Sequence, residues 1–312
     1  MNSTNRTALV VALLALPPWT WFLVRDLSPR FDAFAIGMPL FLGAGLVVAL
    51  IIAALARIPR WAIAGVGASW LLFSAVVIMG PWTPKGSDAP VDGFRLAAAN
   101  VRGRVMNPVA LDDLLAQDAD VLVVSEMLPG LLRPLDEEYA YSTAGRSSFD
   151  VVVYSHWPLV PLDDPPEVVA RHGVAVEVQA PDGPFVLYGL HLPRPSYPIT
   201  AAWEVGLRTQ RRIIDDMIAA IEAESLPVVI AGDLNLTDRG GGYRALSDAR
   251  RDAMRVGWAG PTSVRYPMLL LRIDHIFVPP SWCAEDPTRF DITASDHKGV
   301  SSTIGACPAD VG

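Results

Sequence analysis

Hydrophobic and polar positions follow one rule in the first 82 residues and another in the rest of the chain. Three long apolar stretches come first: Ala8–Val24, Phe34–Leu55 and Ala62–Gly80, none with a charged residue. A membrane-spanning helix needs roughly 17–25 apolar residues, so all three qualify, the first only just and with Pro17-Pro18 inside it. Trp19, Trp21, Trp61 and Trp82 lie near the ends of these stretches, where interfacial aromatics belong. No small-x-small cleavage site precedes the Arg25–Arg30 loop and two more apolar stretches follow, so a removed signal peptide fits the first poorly. The pattern predicts a membrane region over residues 1–82 with about three transmembrane helices, at 8–24, 34–55 and 62–80. Arg6, the amino terminus, Arg57 and Arg60 would share one side, against Arg25, Arg30 and Lys85 on the other. That slight bias puts the N-terminus on the inner side of the cell membrane and the C-terminal domain in the extracytoplasmic space.

Residues 83–91, TPKGSDAPV, have a linker's composition and no periodicity. From residue 92 to about 305 short strands alternate with helices. FRLAAANV, DVLVVSE, DVVVYS, VAVEVQA, FVLYGLHL, PVVIAGDLN, RIDHIFV and KGVSSTIG read as strands, and VALDDLLAQ as a helix. Gly206–Glu224 predicts a long amphipathic helix, with Leu207, Ile213, Ile214, Met217, Ile218 and Ile221 on one side. Adjacent strands mixed with helix-separated ones predict an α/β sandwich rather than a purely parallel sheet. Residues 306–312 form a tail.

Composition sharpens the division. The chain is 51% hydrophobic with a mean hydropathy of +0.32, and the excess lies in the first part. Residues 91–312 hold 19 Lys and Arg against 30 Asp and Glu, a formal charge of −11. An acidic domain has no basic face for tight nonspecific binding of polyanions, although bound metal would cancel several carboxylates at a nucleic-acid substrate. Two cysteines, Cys283 and Cys307, are too few for a disulfide scaffold or a zinc site. Whether they pair depends on the redox compartment.

The candidate chemistry lies at strand ends. Asn100 ends AAAN, Glu126 ends VLVVSE, His191 follows LYGL, and Asp233 and Asn235 end VVIAGDLN. Asp274 and His275 interrupt RIDHIFV, and Asp296-His297 precede the last strand. A strand end holds a side chain on a rigid base, where a catalytic group is needed. Taken alone, Asp233 and Asn235 read as turn formers and Asp296 as a capping residue; six sets in register with strand ends do not. Carboxylate and amide oxygens suit magnesium and its relatives, which also bind substrate phosphate. Histidines beside carboxylates suit proton transfer and phosphate contact. His275 reads as structural. The GGG run at 240–242 reads as a flexible loop, because no Lys-Ser/Thr follows it.

AAANV, VVSE, YGLHLP, VVIAGDLNLTD, PTS with RIDHIFV, and SDHKGV occur in the order and approximate spacing of the endonuclease/exonuclease/phosphatase superfamily. The chain resembles that group, which includes deoxyribonuclease I-like nucleases, abasic-site endonucleases, neutral sphingomyelinases and inositol polyphosphate 5-phosphatases. The resemblance spans about residues 92–305. It implies a four-layer α/β sandwich, two packed mixed β-sheets flanked by helices, and a catalytic domain dependent on magnesium or manganese (Mg2+ or Mn2+). It implies Glu126 as principal metal ligand, with Asn100 and Asp296 beside it. Asp233 resembles the residue that orients or deprotonates the attacking water, and Asn235 the phosphate contact. Asp274 resembles the partner of His297, and His191 the second histidine. Arg102, Arg104, Arg194 and Tyr197 follow motif residues and are candidate substrate contacts. Two departures bear on the cleft: Gly299 stands where a hydrophobic residue or Pro is usual, and Ser263 where Trp is common.

The expected activity is a membrane-anchored, metal-dependent phosphodiesterase or nuclease; the alternative is a catalytically silent membrane-bound binding or signalling module on the same fold. The expected partners are a phosphoester (a phospholipid headgroup, a small phosphodiester or nucleic acid) and membrane lipid around the spans. No protein partner is implied. No charge sits inside a span, which argues against transport.

Overall fold

The computed structural model describes residues 3–28, 31–102, 109–127, 129–144, 150–195 and 201–308. The apolar part forms α1 (Ser3–Ala15), α2 (Pro17–Val24), α3 (Asp32–Leu55) and α4 (Arg60–Ser74), the last continuing through a π-turn at Ala75–Met79 and a 3-10 turn at Gly80–Trp82. Phe34–Leu55 and Arg60–Trp82 are each long and apolar enough to cross a membrane. The expected first span is a pair, α1 and α2, bent by 47°; it makes a third span only if the bent pair crosses as one. The bend follows from Pro17-Pro18, which remove two backbone donors. The carbonyl of Leu14, which residue 18 would otherwise satisfy, accepts instead from the Trp70 indole at 2.7 Å. Phe73 sits at the centre of the bundle with Trp19, Trp21 and Phe22 edge-on around it. Phe41, Val47, Ile51, Leu71 and Leu72 point outward and are exposed, as a lipid-facing surface requires.

The described residues of the remainder form twelve strands. These are β1 (Phe94–Asn100), β2 (Val121–Ser125), β3 (Tyr141–Ser142), β4 (Val151–Ser155), β5 (Leu159–Pro161), β6 (Gly173–Val178), β7 (Phe185–His191), β8 (Val228–Asp233), β9 (Arg251–Asp252), β10 (Asp274–Val278), β11 (Trp282–Asp291) and β12 (Lys298–Ala306). Five helices accompany them: α5 (Ala110–Leu115), α6 (Pro129–Glu138), α7 (Glu167–His172), α8 (Ala201–Ala223) and α9 (Gly241–Ala249). One six-stranded sheet has the order β11-β12-β1-β2-β4-β3 and the other β5-β6-β7-β8-β10-β9; both are mixed. Leu96, Val121, Val123 and Val153 of the first sheet meet Phe185, Leu187, Val229 and Ile276 of the second. The outer face of the first sheet is covered by α5 and α6 through Leu114, Leu131 and Leu135. The outer face of the second packs on α8 through Ile213, Ile214, Met217 and Ile221. Covered on both faces, β2, β4 and β8 are buried throughout, which is why they read as unbroken apolar runs.

The sequence pattern predicts no strand over β11 and no helix over α6 or α9. β11 is a sheet edge carrying Pro287 and a bulge between Glu285 and Thr288, the devices that blunt an edge and also erase its alternation. The Gly240–Gly242 run is not a loose loop: all three glycines are buried and begin α9. Residues 83–91 form neither helix nor strand, yet are tied at Lys85 to Arg255, at Ser87 to Ala284 and at Val91 to Ala306. Cys283 and Cys307 are disulfide-bonded across β11 and the end of β12.

Candidate active site

Register gathers the polar strand ends on one rim. In the first sheet β1 and β2 run parallel, so Asn100 pairs with Ser125 and Glu126 follows at once. In the second, parallel β7 and β8 set His191 opposite Asp233, and antiparallel β10 begins at the same level with Asp274 opposite Asp233. His297 precedes β12 and bridges to Ser263. Parallel strands therefore end, and antiparallel strands begin, at one edge of the sandwich.

Asp233 is the hub. It is 2% exposed, and its Oδ2 lies 3.0 Å from the amide nitrogen of Asn100, 3.6 Å from His191 Nε2 and 3.7 Å from His297 Nε2. Its Oδ1 accepts from the backbone N–H of Asn235 at 2.9 Å. Each histidine is held from behind by its own carboxylate: His297 Nδ1 lies 3.0 Å from Asp274 Oδ2, and His191 Nδ1 lies 3.1 Å from Asp150 Oδ2. Such a pairing fixes the tautomer and the ring plane. Glu126 lies 3.2 Å from the Asn100 amide nitrogen and 4.0 Å from His191 Nε2. Its backbone is left-handed, with φ at 51°, an uncommon state for a residue other than glycine and one concentrated at functional sites.

The remaining expected residues fall into two groups. Asp296 is at the rim, with Arg102 Nε 3.6 Å and Arg265 Nη1 3.7 Å from its carboxylate. Asn235 uses one amide hydrogen on the carbonyl of Leu192 at 2.8 Å, and its own carbonyl accepts from Gln210 of α8. Arg194 leaves the rim after β7, while Tyr197 and Arg104 lie outside the described residues. His275 is fully buried between Tyr243 and Phe277 and donates to the Leu236 carbonyl, in keeping with a structural role. Burial, with the nearby Arg272 charge, pushes its pKa down to about 4.

Asp150 was not foreseen. It sits one residue before β4, in the sheet opposite β7, and only the packing of the two sheets brings it to His191. Arg265 was missed likewise; its only signal was a basic residue just after Ser263. The departure at Gly299 has a packing reason, since a Cβ there would meet the Phe290 ring at 2.1 Å.

Electrostatics separates the groups. Burial raises the Asp233 carboxyl, Asp274 adds to that, and the histidine charges oppose it; the result is a pKa pushed up to about 6. Burial alone would lower His297, but Asp274 and Asp233 outweigh it and raise the pKa to about 10. His191 is raised too: burial opposes, and the hydrogen bond to Asp150 with the Asp233 charge prevails. The same bond holds Asp150 below the usual carboxylate range.

The donors suit a hard cation: carboxylate and amide oxygens with no thiolate among them. Among the described residues one group of three lies within 4.8 Å, namely Asp233, Asp274 and His297. That triad is the weaker candidate, because His297 keeps its proton far above neutral pH and Asp274 already occupies its Nδ1. Glu126 beside Asn100 fits better. Asn100 now turns its nitrogen toward Glu126 and Asp233 while its oxygen accepts from the Arg102 N–H, so ligation requires the amide to rotate.

A model of the endonuclease/exonuclease/phosphatase family matches residues 97–297. Among solved structures, sphingomyelinase C from Streptomyces griseocarneus is 17% identical with a TM-score of 0.50, over 68% of this chain and 99% of that one. A family protein from Bacteroides thetaiotaomicron gives 17% identity and a TM-score of 0.50, over 69% and 98%. One from Beutenbergia cavernae gives 20% and 0.49, over 70% and 73%. A search of curated proteins found no match. At these identities the neighbours carry the fold alone, whereas the family match spans most of the sandwich and both sheets of the rim. The chain belongs to the endonuclease/exonuclease/phosphatase family.

Proposed function

We propose that the protein is a membrane-anchored, divalent-metal-dependent phosphoester hydrolase that works by water attack on phosphorus. The observation that carries this reading is Asp233, a buried carboxylate between two histidines, each oriented by a carboxylate of its own. With a pKa near 6, Asp233 is ionised at neutral pH yet basic enough to take a proton from water. As the water oxygen bonds to phosphorus, its proton passes to Asp233 and the bond to the leaving oxygen breaks. His297, protonated at neutral pH, faces the charge that develops on the phosphoryl oxygens. His191, also biased toward its protonated form, supplies a proton to the leaving oxygen. Asn235 contacts the phosphate with its remaining amide hydrogen, and Arg102, Arg194 and Tyr197 are assigned to the substrate side.

Glu126, Asn100 and Asp296 would hold Mg2+ or Mn2+. When bound, the ion would supply positive charge to the phosphoryl and leaving oxygens. The chain anchors through residues 1–82, with residues 92–305 as the catalytic domain on the extracytoplasmic side of the membrane. The Cys283–Cys307 bond supports that side, since disulfides persist in oxidising compartments.

The test uses the full chain in detergent micelles with Mg2+, Mn2+ or EDTA. The substrates are bis-p-nitrophenyl phosphate, plasmid DNA, RNA, sphingomyelin and a phosphoinositide, with Asp233→Ala as the blank. Turnover that needs metal and is absent from the blank is the expected result. Metal binding without turnover on any substrate would favour the silent binding module.

A further inference from the structure

The N-terminal helices and the sandwich are joined by hydrogen bonds beside the cleft. α3 begins and α4 ends on the same side of the bundle, and both meet the segment that follows Asp233. At α3 the joint depends on Pro39. Proline has no N–H, so the Ala35 carbonyl one turn earlier loses its helical partner, a costly vacancy beside a bilayer. Arg239 fills it. Its buried guanidinium donates through Nε to Ala35 O at 3.1 Å. The same group donates through Nη2 to Leu269 O at 2.9 Å and through Nη1 to Leu270 O at 3.0 Å. One side chain thus latches a membrane helix to the loop at 264–270.

Two further contacts fix the joint. Asp32, in the first turn of α3, accepts from the Gly241 N–H at 2.7 Å and so caps α9 from another element. A Cβ on Gly241 would meet that carboxylate at 3.0 Å, which accounts for a glycine at this position. At the end of α4, the Trp82 indole donates to buried Asp238, and the Trp82 carbonyl accepts from the Ala259 N–H at 3.2 Å.

The loop so latched is the rim of the active cleft. At its base Val264 N–H donates to the Asp296 carbonyl at 2.8 Å, and Arg265 reaches the Asp296 carboxylate. Its Pro267–Leu269 turn packs against α3. The tip is apolar and open, with Met268 72% and Tyr266 41% exposed, and Val264 at the base is 48% exposed. A crevice lined by Asp32, Ile36, Leu207, Asn235 and Thr237 continues from α3 to the GD-x-N motif. The apolar length of α3 is about 33 Å at 1.5 Å per residue, close to a bilayer core, so Asp32 and the latched loop lie at the headgroup level.

We infer that the loop at 264–270 rests in the lipid headgroup layer and that the active cleft takes a phosphoester whose apolar tail stays in the bilayer. This rests on the hydrolase and membrane-anchor readings above and narrows the substrate to a membrane amphiphile. The joints hold the cleft against the surface, and the exposed tip continues the apolar face of α3 past the end of the span. A free-swinging domain reaching for soluble substrate would need neither the latch nor an apolar rim.

The full chain in phosphatidylcholine nanodiscs tests the placement without needing activity. A bimane label on Met268→Cys should be quenched by doxyl-labelled lipid, and one on Val160→Cys, exposed on the far edge strand, should not. Equal quenching at the two positions, or none at Met268, overturns the proposal whatever the activity. Turnover tests the substrate, with hexadecyl p-nitrophenyl phosphate in phosphatidylcholine vesicles against its water-soluble ethyl analogue. The expected kcat/KM ratio is at least about tenfold in favour of the hexadecyl diester, the equivalent of about 1.4 kcal/mol. Met268→Glu should bring the ratio toward unity. Equal turnover by the unmodified protein overturns the membrane-amphiphile assignment and leaves the hydrolase reading standing. Turnover of neither diester, with quenching at Met268, removes the hydrolase reading while the placement holds.

Discussion

The apolar N-terminal helices and the cleft rim use their polar groups to opposite ends. In the helices, protein satisfies the Leu14 carbonyl through Trp70, the Ala35 carbonyl through Arg239 and the Asp32 carboxylate through Gly241. At the rim, Asp233 Oδ2 stands 3.6 Å from His191 and 3.7 Å from His297, beyond a firm hydrogen bond, with all three pKa values pushed away from their ordinary range. A group fully engaged by protein holds structure, and one with a shifted pKa beside open histidine nitrogens is placed to move a proton. Substitutions in the two regions should therefore separate stability from turnover.

The largest expected effect is on turnover. Asp233→Ala and His297→Ala should each reduce kcat by roughly a hundred- to ten-thousandfold, the range for a lost acid or base, with little change in thermal melt. A melt that collapses for both would make them structural. Arg239→Ala should show the reverse pattern. It leaves three carbonyls without a donor and should cost roughly 2–4 kcal/mol. Exposed Arg133→Ala, which breaks only a surface pair with Glu137, should stay within about 0.5 kcal/mol. Equal melting temperatures for these two variants would break the contrast.

Next comes the metal. Mg2+ or Mn2+ at a hundredfold excess over Kd should stabilise the chain by about 2.7 kcal/mol, and Glu126→Ala should abolish that shift. A shift that survives Glu126→Ala but not Asp274→Ala would move the ion to the other acidic cluster. The smallest expected effect is on pH dependence in the absence of metal. His297 binds its proton more tightly when folded than when unfolded, so its contribution is complete below about pH 6.5 and is lost as pH rises toward about 10. The melting temperature should therefore fall over that window. In His297→Ala the fall should be much reduced; an unchanged slope would mean that His297 is not charged in the folded protein.

Much of the fold was legible because both regions obey simple periodicities. Uncharged runs marked the helices long and apolar enough to cross a membrane, and strands buried on both faces made unbroken apolar runs. The rim was legible where its residues abut those runs: Asn100, Glu126, His191, Asp233, Asp274 and His297 all sit at strand ends. The misses share a cause. Asp150 and Arg265 reach the rim only through tertiary packing, β11 is an edge strand whose Pro287 and bulge erase alternation, and Gly241 at the start of α9 makes sense only with Asp32 of a distant helix beside it. Arg239 carries no local signal at all, since the proline it answers lies 200 residues earlier. Pairings between remote elements leave no period to read.

Water attack on phosphorus is tested most directly by the fate of the solvent oxygen. The full chain with Mn2+ would turn over bis-p-nitrophenyl phosphate in heavy-oxygen water, and both products would be weighed by mass spectrometry. One solvent oxygen should appear in the phosphoryl product and none in nitrophenol, with EDTA or Asp233→Ala abolishing the incorporation. Label in nitrophenol, or labelled phosphoryl product formed equally fast by Asp233→Ala, would contradict an Asp233-assisted water attack.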